Sequence, residues 1–243
     1  MTCKNCGFKL DGPFCSQCGQ NSNVGRINLH NFLNEVSESV FQVNRGFFFT
    51  LWELMRSPGQ GISEFLEGKR KLYFKPIAYV LTLSTLYFLV AQLSGRNTWI
   101  DDLFTGFVSG TAIADENLEL PKALTWFTKS YAYSILLLLP IFSLASYLSF
   151  FSFGKNYLEH VVINSYVTGQ QAIFYSLFTF LEIIVESKIF EFLPLLIAIS
   201  YAFWVFWQLF PNGRRFANLL RSMLTYLLYL IFCILLLIAI LRF

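Results

Sequence analysis

Residues 219–241 read LLRSMLTYLLYLIFCILLLIAIL, a run of 23 residues whose one charged side chain, Arg221, lies near its start. A helix rises about 1.5 Å per residue and satisfies its own backbone groups, so roughly 20 such residues cross the hydrocarbon core of a bilayer of about 30 Å. Four earlier segments have the same character, near residues 76–93, 131–151, 161–185 and 192–210. Together the five predict an all-α integral membrane protein.

The composition agrees. Hydrophobic residues make up 55% of the chain and charged residues 14%, against about a quarter charged in a soluble domain. The formal charge of +3 is small and dispersed between apolar segments, unlike the dense basic face of a nucleic-acid binder, so no nucleic-acid partner is expected. Lys69, Arg70, Lys71 and Lys75 precede the first span, Lys155 separates the second from the third, and Arg214, Arg215 and Arg221 flank the turn between the fourth and fifth. The opposite loops carry Asp101, Asp102, Asp115, Glu116 and Glu119, then Glu186 and Glu191. Positive loops stay inside, which predicts a cytoplasmic N-terminus and a periplasmic C-terminus in the inner (cytoplasmic) membrane.

Residues 1–22 form a second kind of unit. Cys3, Cys6, Cys15 and Cys18 make two CxxC pairs with eight residues between them, and Gly7 and Gly19 follow each pair directly. Two thiolates two residues apart reach one ion from a tight turn, and the glycine lets backbone amides turn toward sulfur. Four thiolates suit a closed, structural zinc site, with iron or redox chemistry as the alternative. The start MTCKNCGFKL has neither the apolar run nor the cleavage site of a secretory signal, so these thiols are expected in the reducing cytoplasm. Cys233, in the last span, reads as a small apolar filler.

Between the ribbon and the membrane domain of residues 58–243, residues 28–57 place Leu29, Phe32, Leu33, Val36, Val40, Val43 and Phe47 at helical spacing. This predicts an amphipathic cytoplasmic or interfacial helix, ended by Pro58 and Gly59. Its polar face has Arg45 as its only fixed positive charge, so packing on the bundle or shallow interfacial seating is favoured over electrostatic targeting. The loop at 94–128 is the one sizeable external segment, with a short helix expected around 118–127.

Three constellations could carry function. In the third span, Asn156, His160, Asn164, Gln171, Tyr175, Glu182 and Glu186 recur at intervals of four or seven residues and share one face of the helix. That polar stripe makes either interhelical hydrogen bonds or a hydrated or substrate groove. Glu159 and His160 sit near its cytoplasmic entry, where His160 has the chemistry for proton transfer. Lys69, Arg70, Lys71, Tyr73 and Lys75, with Arg214 and Arg215 on the same side, form either an ordinary positive-inside anchor or a headgroup or phosphate pocket. The only histidines are His30 and His160, too few for a histidine-rich diiron site. No nucleophile elbow, phosphate-binding loop or H-E-x-x-H motif is present, and no catalytic residue is assigned.

FCSQCGQ at residues 14–20, EGKRKLYFKPIAYV at 67–80 and NYLEHVVINSY at 156–166 together resemble a bacterial membrane family common in the Bacteroidota, the one catalogued as domain of unknown function 3667. The resemblance runs in order along nearly the whole chain and implies an inner-membrane protein with a cytoplasmic ribbon. It brings no established activity. Some members carry further histidines after the E-H pair, whereas residues 161–171 hold none, which weakens any metal site on this helix. The function expected is a non-enzymatic scaffold or accessory subunit that engages a membrane protein partner through ribbon and helix. A small transporter, channel or lipid-handling protein is the alternative, and a lipid-headgroup enzyme the third. Membrane lipids are expected partners throughout.

Overall fold

The computed structural model describes residues 1–29, 46–102, 106, 126–127, 129–185, 189–211 and 215–242. Among them the chain is all-helical apart from two isolated β-bridges in the ribbon. Two short helices, α1 (Gly46–Arg56) and α2 (Pro58–Glu67), lead into five long ones: α3 (Pro76–Leu93), α4 (Tyr131–Ser149), α5 (Tyr157–Ile184), α6 (Ile189–Leu209) and α7 (Arg215–Arg242).

Proline and glycine set the boundaries. Pro58 occupies the first turn of α2 and Pro76 that of α3, where a missing N–H costs nothing. Pro58 thus starts a new helix as well as closing the one before it. Most of the helix expected over 28–57, including His30, lies outside the described residues; the described part is Gly46–Arg56. The short helix expected around 118–127 is likewise outside them, except at its end. Gly68 closes α2 at φ +119°, with the Lys69 amide donating back to the Glu64 carbonyl at 2.9 Å, the left-handed closure that glycine allows.

Among the described residues, four helices contain windows long and apolar enough to cross a membrane: Pro76–Leu93, Tyr131–Ser149, Phe192–Leu209 and Phe216–Ile238. The chain is a multi-pass membrane protein. The fifth long helix, α5, is 28 residues, long enough at about 1.5 Å per residue to cross as well, but its first half lies inside the bundle, while Leu177, Phe180, Ile183 and Ile184 near its end are exposed. It packs on α3, α4 and α6, and residues 159–167 are buried on every side. Side chains that meet protein rather than lipid need not be uniformly apolar, which explains the polar residues on this helix. At Gly169 an added Cβ would fall 2.6 Å from the Tyr79 ring and 3.3 Å from Val80 Cα, so α3 and α5 approach as closely as they do because that side chain is absent. By contrast α7 packs on α4 and α6 along one stripe and exposes Leu220, Leu224, Leu227, Ile231 and Ile234 outward, the surface a lipid-facing helix presents.

The long helices alternate in direction. The start of α4 meets the segment after α3, where the Trp99 indole N–H donates to the Tyr131 hydroxyl at 2.7 Å. The α5–α6 turn brings Phe178 to 6.0 Å from Phe190. One end of the bundle carries the ribbon, α1 and α2; the other is called the far side below.

Candidate functional site

The ribbon is two copies of one small turn. Cys3 N–H donates to the Phe8 carbonyl and Gly7 N–H to the Cys3 carbonyl, each at 2.8 Å; Cys15 to Gln20 and Gly19 to Cys15 repeat the pattern at 2.8 Å. Gly7 at φ +76° and Gly19 at φ +71° allow both turns. The result gathers the sulfurs of Cys3, Cys6, Cys15 and Cys18 within 4.8 Å of one another, with Cys3–Cys18 at 3.6 Å and Cys6–Cys15 at 3.5 Å. This cluster could hold a metal ion. The Cys6 and Asn5 amides aimed at the Cys3 sulfur, working against its burial, lower its pKa to about 7. Cys6 receives the Phe8 amide, yet burial and the other three sulfurs push it up to about 12. Four thiols this close cannot all ionise without a cation among them.

The ribbon does not hang free. The side chain of Gln20, buried, donates to the Gly68 carbonyl at 2.9 Å and accepts from the Arg70 and Lys71 amides at 3.1 and 3.2 Å. Lys4 donates to Val24 at 2.8 Å and the Arg70 guanidinium to Gly25 at 2.8 Å. Arg26 then reaches the other side of the seat. Its guanidinium makes a fork to Glu159 at 2.7 and 2.8 Å and a further bond to the Gly154 carbonyl. Asn156 donates to the Ile27 carbonyl at 3.1 Å, and the Ile27 side chain is buried in the core of the membrane domain. Residues 24–27 therefore form a strap held between the turn at 68–71 and the start of α5.

Glu159 serves twice. It accepts the Asn156 amide at 2.7 Å while its own amide donates to Asn156 Oδ1 at 2.8 Å, a reciprocal cap on α5. Burial opposes its charge, but Arg26 and the Asn156 amide hold its carboxyl below the usual range. Arg26 in turn is raised by its bonds to Glu159. Lys155 beside them is lowered by burial, partly offset by the nearby carboxylates.

Part of the basic cluster read from the sequence is engaged internally. Lys69 pairs with Glu64 at 2.9 Å, Tyr73 donates to the same carboxylate at 3.0 Å, and Arg70 lies 5.8 Å over the Phe65 ring. Lys71 meets the ribbon at Gly19, and Lys75 stands in extended conformation just before α3. Arg214 and the side chain of Arg215 lie outside the described residues.

The polar stripe of α5 divides among four settings, apart from Glu186, which lies outside the described residues. Asn156 and Glu159 hold the strap. His160 and Asn164 pack against the serines of α4: His160 Nδ1 is 2.9 Å from Ser146 Oγ, and Asn164 Nδ2 donates to Ser146 at 2.7 Å and Ser143 at 3.4 Å. The His160 ring also stacks 6.0 Å from Phe210. Gln171 and Tyr175 line a cavity of about 440 Å³ between α4, α5, α6 and α7 on the far side. Glu182 pairs with Arg96 at 3.2 Å.

Sequence reasoning missed Gln20, Arg26 and Ile27. Gln20 and Arg26 are polar residues beside a metal motif, and nothing in their spacing marks partners 48 and 133 residues away. Strap and seat share no periodicity that a local pattern could reveal.

A family model described as protein of unknown function (DUF3667) matches residues 44–88. That segment contains α1, α2, the turn that seats the ribbon and most of α3. No curated protein and no solved structure matches the chain.

Proposed function

We propose that this chain is a non-enzymatic scaffold or accessory subunit of the cytoplasmic membrane, with its ribbon and N-terminus in the cytoplasm and its C-terminus in the periplasm. The ion is zinc, which a closed set of four thiolates suits; a tetrahedron with Zn–S bonds of about 2.3 Å has sulfur–sulfur edges of about 3.8 Å, within the spacing here of 3.5 and 3.6 Å for two pairs and up to 4.8 Å across the cluster. A site closed by four thiolates supplies rigidity and a surface rather than chemistry. The observation that carries the proposal is the clamped ribbon. It fixes Phe8, 46% exposed, and Phe14, 61% exposed, on a platform tied to the membrane domain, and fixed aromatic side chains make good anchors for a protein partner. Purification in mild detergent should yield a stoichiometric partner that is lost in a Phe8→Ser, Phe14→Ser double variant whose metal content and insertion are normal. A chain that purifies alone, or a double variant that keeps its partner, would remove this reading.

A second reading, lipid handling, is favoured by one specific observation, the cavity beside Gln171 and Tyr175.

A further inference from the structure

The cavity on the far side has three features that together specify an occupant. The first is its mouth. Leu195 of α6 and Leu230 and Leu236 of α7 line the cavity and are also exposed on the outer surface of the bundle. They lie about 6 to 12 residues from the far ends of their helices, roughly 9–18 Å along a helix rising 1.5 Å per residue. The opening therefore faces bilayer hydrocarbon, within one leaflet, rather than water.

The second feature is the chemistry of the wall. Several of its polar atoms bond to one another or to backbone: Trp99 Nε1 to the Tyr131 hydroxyl at 2.7 Å, and Gln171 Nε2 to the Ala198 carbonyl at 2.8 Å and the Tyr226 hydroxyl at 3.4 Å. Among the described residues, no buried side-chain polar atom of the wall lacks a partner. The surface left to a ligand is mostly ring faces and methyl groups. A charged or sugar-like ligand would lose its own hydration and find little to replace it, and water gains little in a largely apolar cavity.

The third is closure and size. Trp99 stacks on Tyr175 with ring centroids 6.3 Å apart and planes 25° apart, which ends the cavity on the far side. Its volume of about 440 Å³ falls within the range of about 300–1,000 Å³ typical of small-molecule pockets. It has room for a single acyl chain.

We propose that this cavity is a binding site for one acyl chain of a bilayer phospholipid, which enters sideways between α6 and α7 from the far-side leaflet while its headgroup stays at the membrane surface. The site is independent of the partner-binding role of the ribbon, on the opposite end of the bundle. The acyl chain runs past Trp99 and Tyr175, which line the site.

Fluorescence quenching by brominated lipid tests this. Trp52→Phe, Trp126→Phe, Trp204→Phe and Trp207→Phe in the full-length protein leave Trp99 as the sole indole; a companion keeps only Trp204, which is exposed on the outer surface. Both are reconstituted in phosphatidylcholine vesicles with bromines distributed along the acyl chains. Trp99 should lose more than half its emission relative to unbrominated vesicles. Ala198→Phe, which grows a ring into the cavity from α6, should abolish that quenching and leave the quenching of Trp204 unchanged. Ala198→Leu gives a milder filling with a partial effect, and decides the matter if the phenylalanine variant does not insert. Trp99 unquenched in the parent while Trp204 is quenched would overturn the proposal, as would quenching of Trp99 that neither substitution reduces.

Discussion

Replacing Arg26 with alanine should release the strap without unfolding the ribbon or the bundle. The fork to Glu159 comprises two charge-assisted hydrogen bonds at 2.7 and 2.8 Å, a type worth about 1.5–3 kcal/mol when well shielded. Solvent reduces this, because the Arg26 side chain is 59% exposed, although the Glu159 side chain is only 7% exposed. The loss also leaves Glu159 in a poorly solvated position, where the Asn156 amide compensates only in part. A net cost of about 2 kcal/mol follows, or roughly 30-fold in the equilibrium between seated and released ribbon. Hydrogen exchange reads it directly. The Arg70 and Lys71 amides are protected through Gln20 only while the ribbon is seated, so their protection should fall about 30-fold. The Cys15 amide, bonded within the ribbon to Gln20 O, should keep its protection. A fall of less than about threefold at Arg70 and Lys71, or an equal fall at Cys15, would refute the argument, because the strap would then not be what holds the ribbon, or the ribbon would have no stability of its own.

Three other outcomes are expected. Cys15→Ser should remove the bound metal, read by elemental analysis of the purified protein as a drop from about one ion per chain to near none, while the spans still insert. Gly169→Val should destabilise the bundle by about 1–3 kcal/mol through overpacking against Tyr79, seen as a lower unfolding temperature in detergent; an unchanged temperature would mean that α3 and α5 separate freely. The stability difference between wild type and Glu159→Gln should depend on pH with a fixed sign. The folded pKa of Glu159 is lowered, so its contribution is fully present above the unfolded value of about 4.3 and disappears as pH falls through the folded value. A gap between the two melting curves that widens toward acid would contradict the assignment.

The sequence reveals what local chemistry determines. Four cysteines at CxxC spacing close into one cluster because each pair needs only its own turn and its own glycine. Apolar runs become long helices because length and composition suffice to cross a bilayer. The polar stripe of α5 is visible for the same reason, since helical spacing alone puts its members on one face. Its subdivision is not visible, because whether Asn164 meets a serine and Gln171 a cavity depends on which helix lies opposite each turn. The basic run at 69–75 shows the same limit. Its charge and aromatic content suggest phosphate, but Glu64 and the strap carbonyl at Gly25 supply partners that no spacing rule places beside it.

The distance in sequence between strap and seat also orders events during synthesis. Arg26 leaves the ribosome 133 residues before Glu159, a delay on the order of ten seconds at about 5–20 residues per second. The four cysteines can take up metal during that interval, but the ribbon has only half of its seat until the start of α5 has emerged and capped itself with Asn156 and Glu159. Seating of the ribbon is therefore a late step in biogenesis, and an exposed strap marks a chain whose central helix is not yet in place.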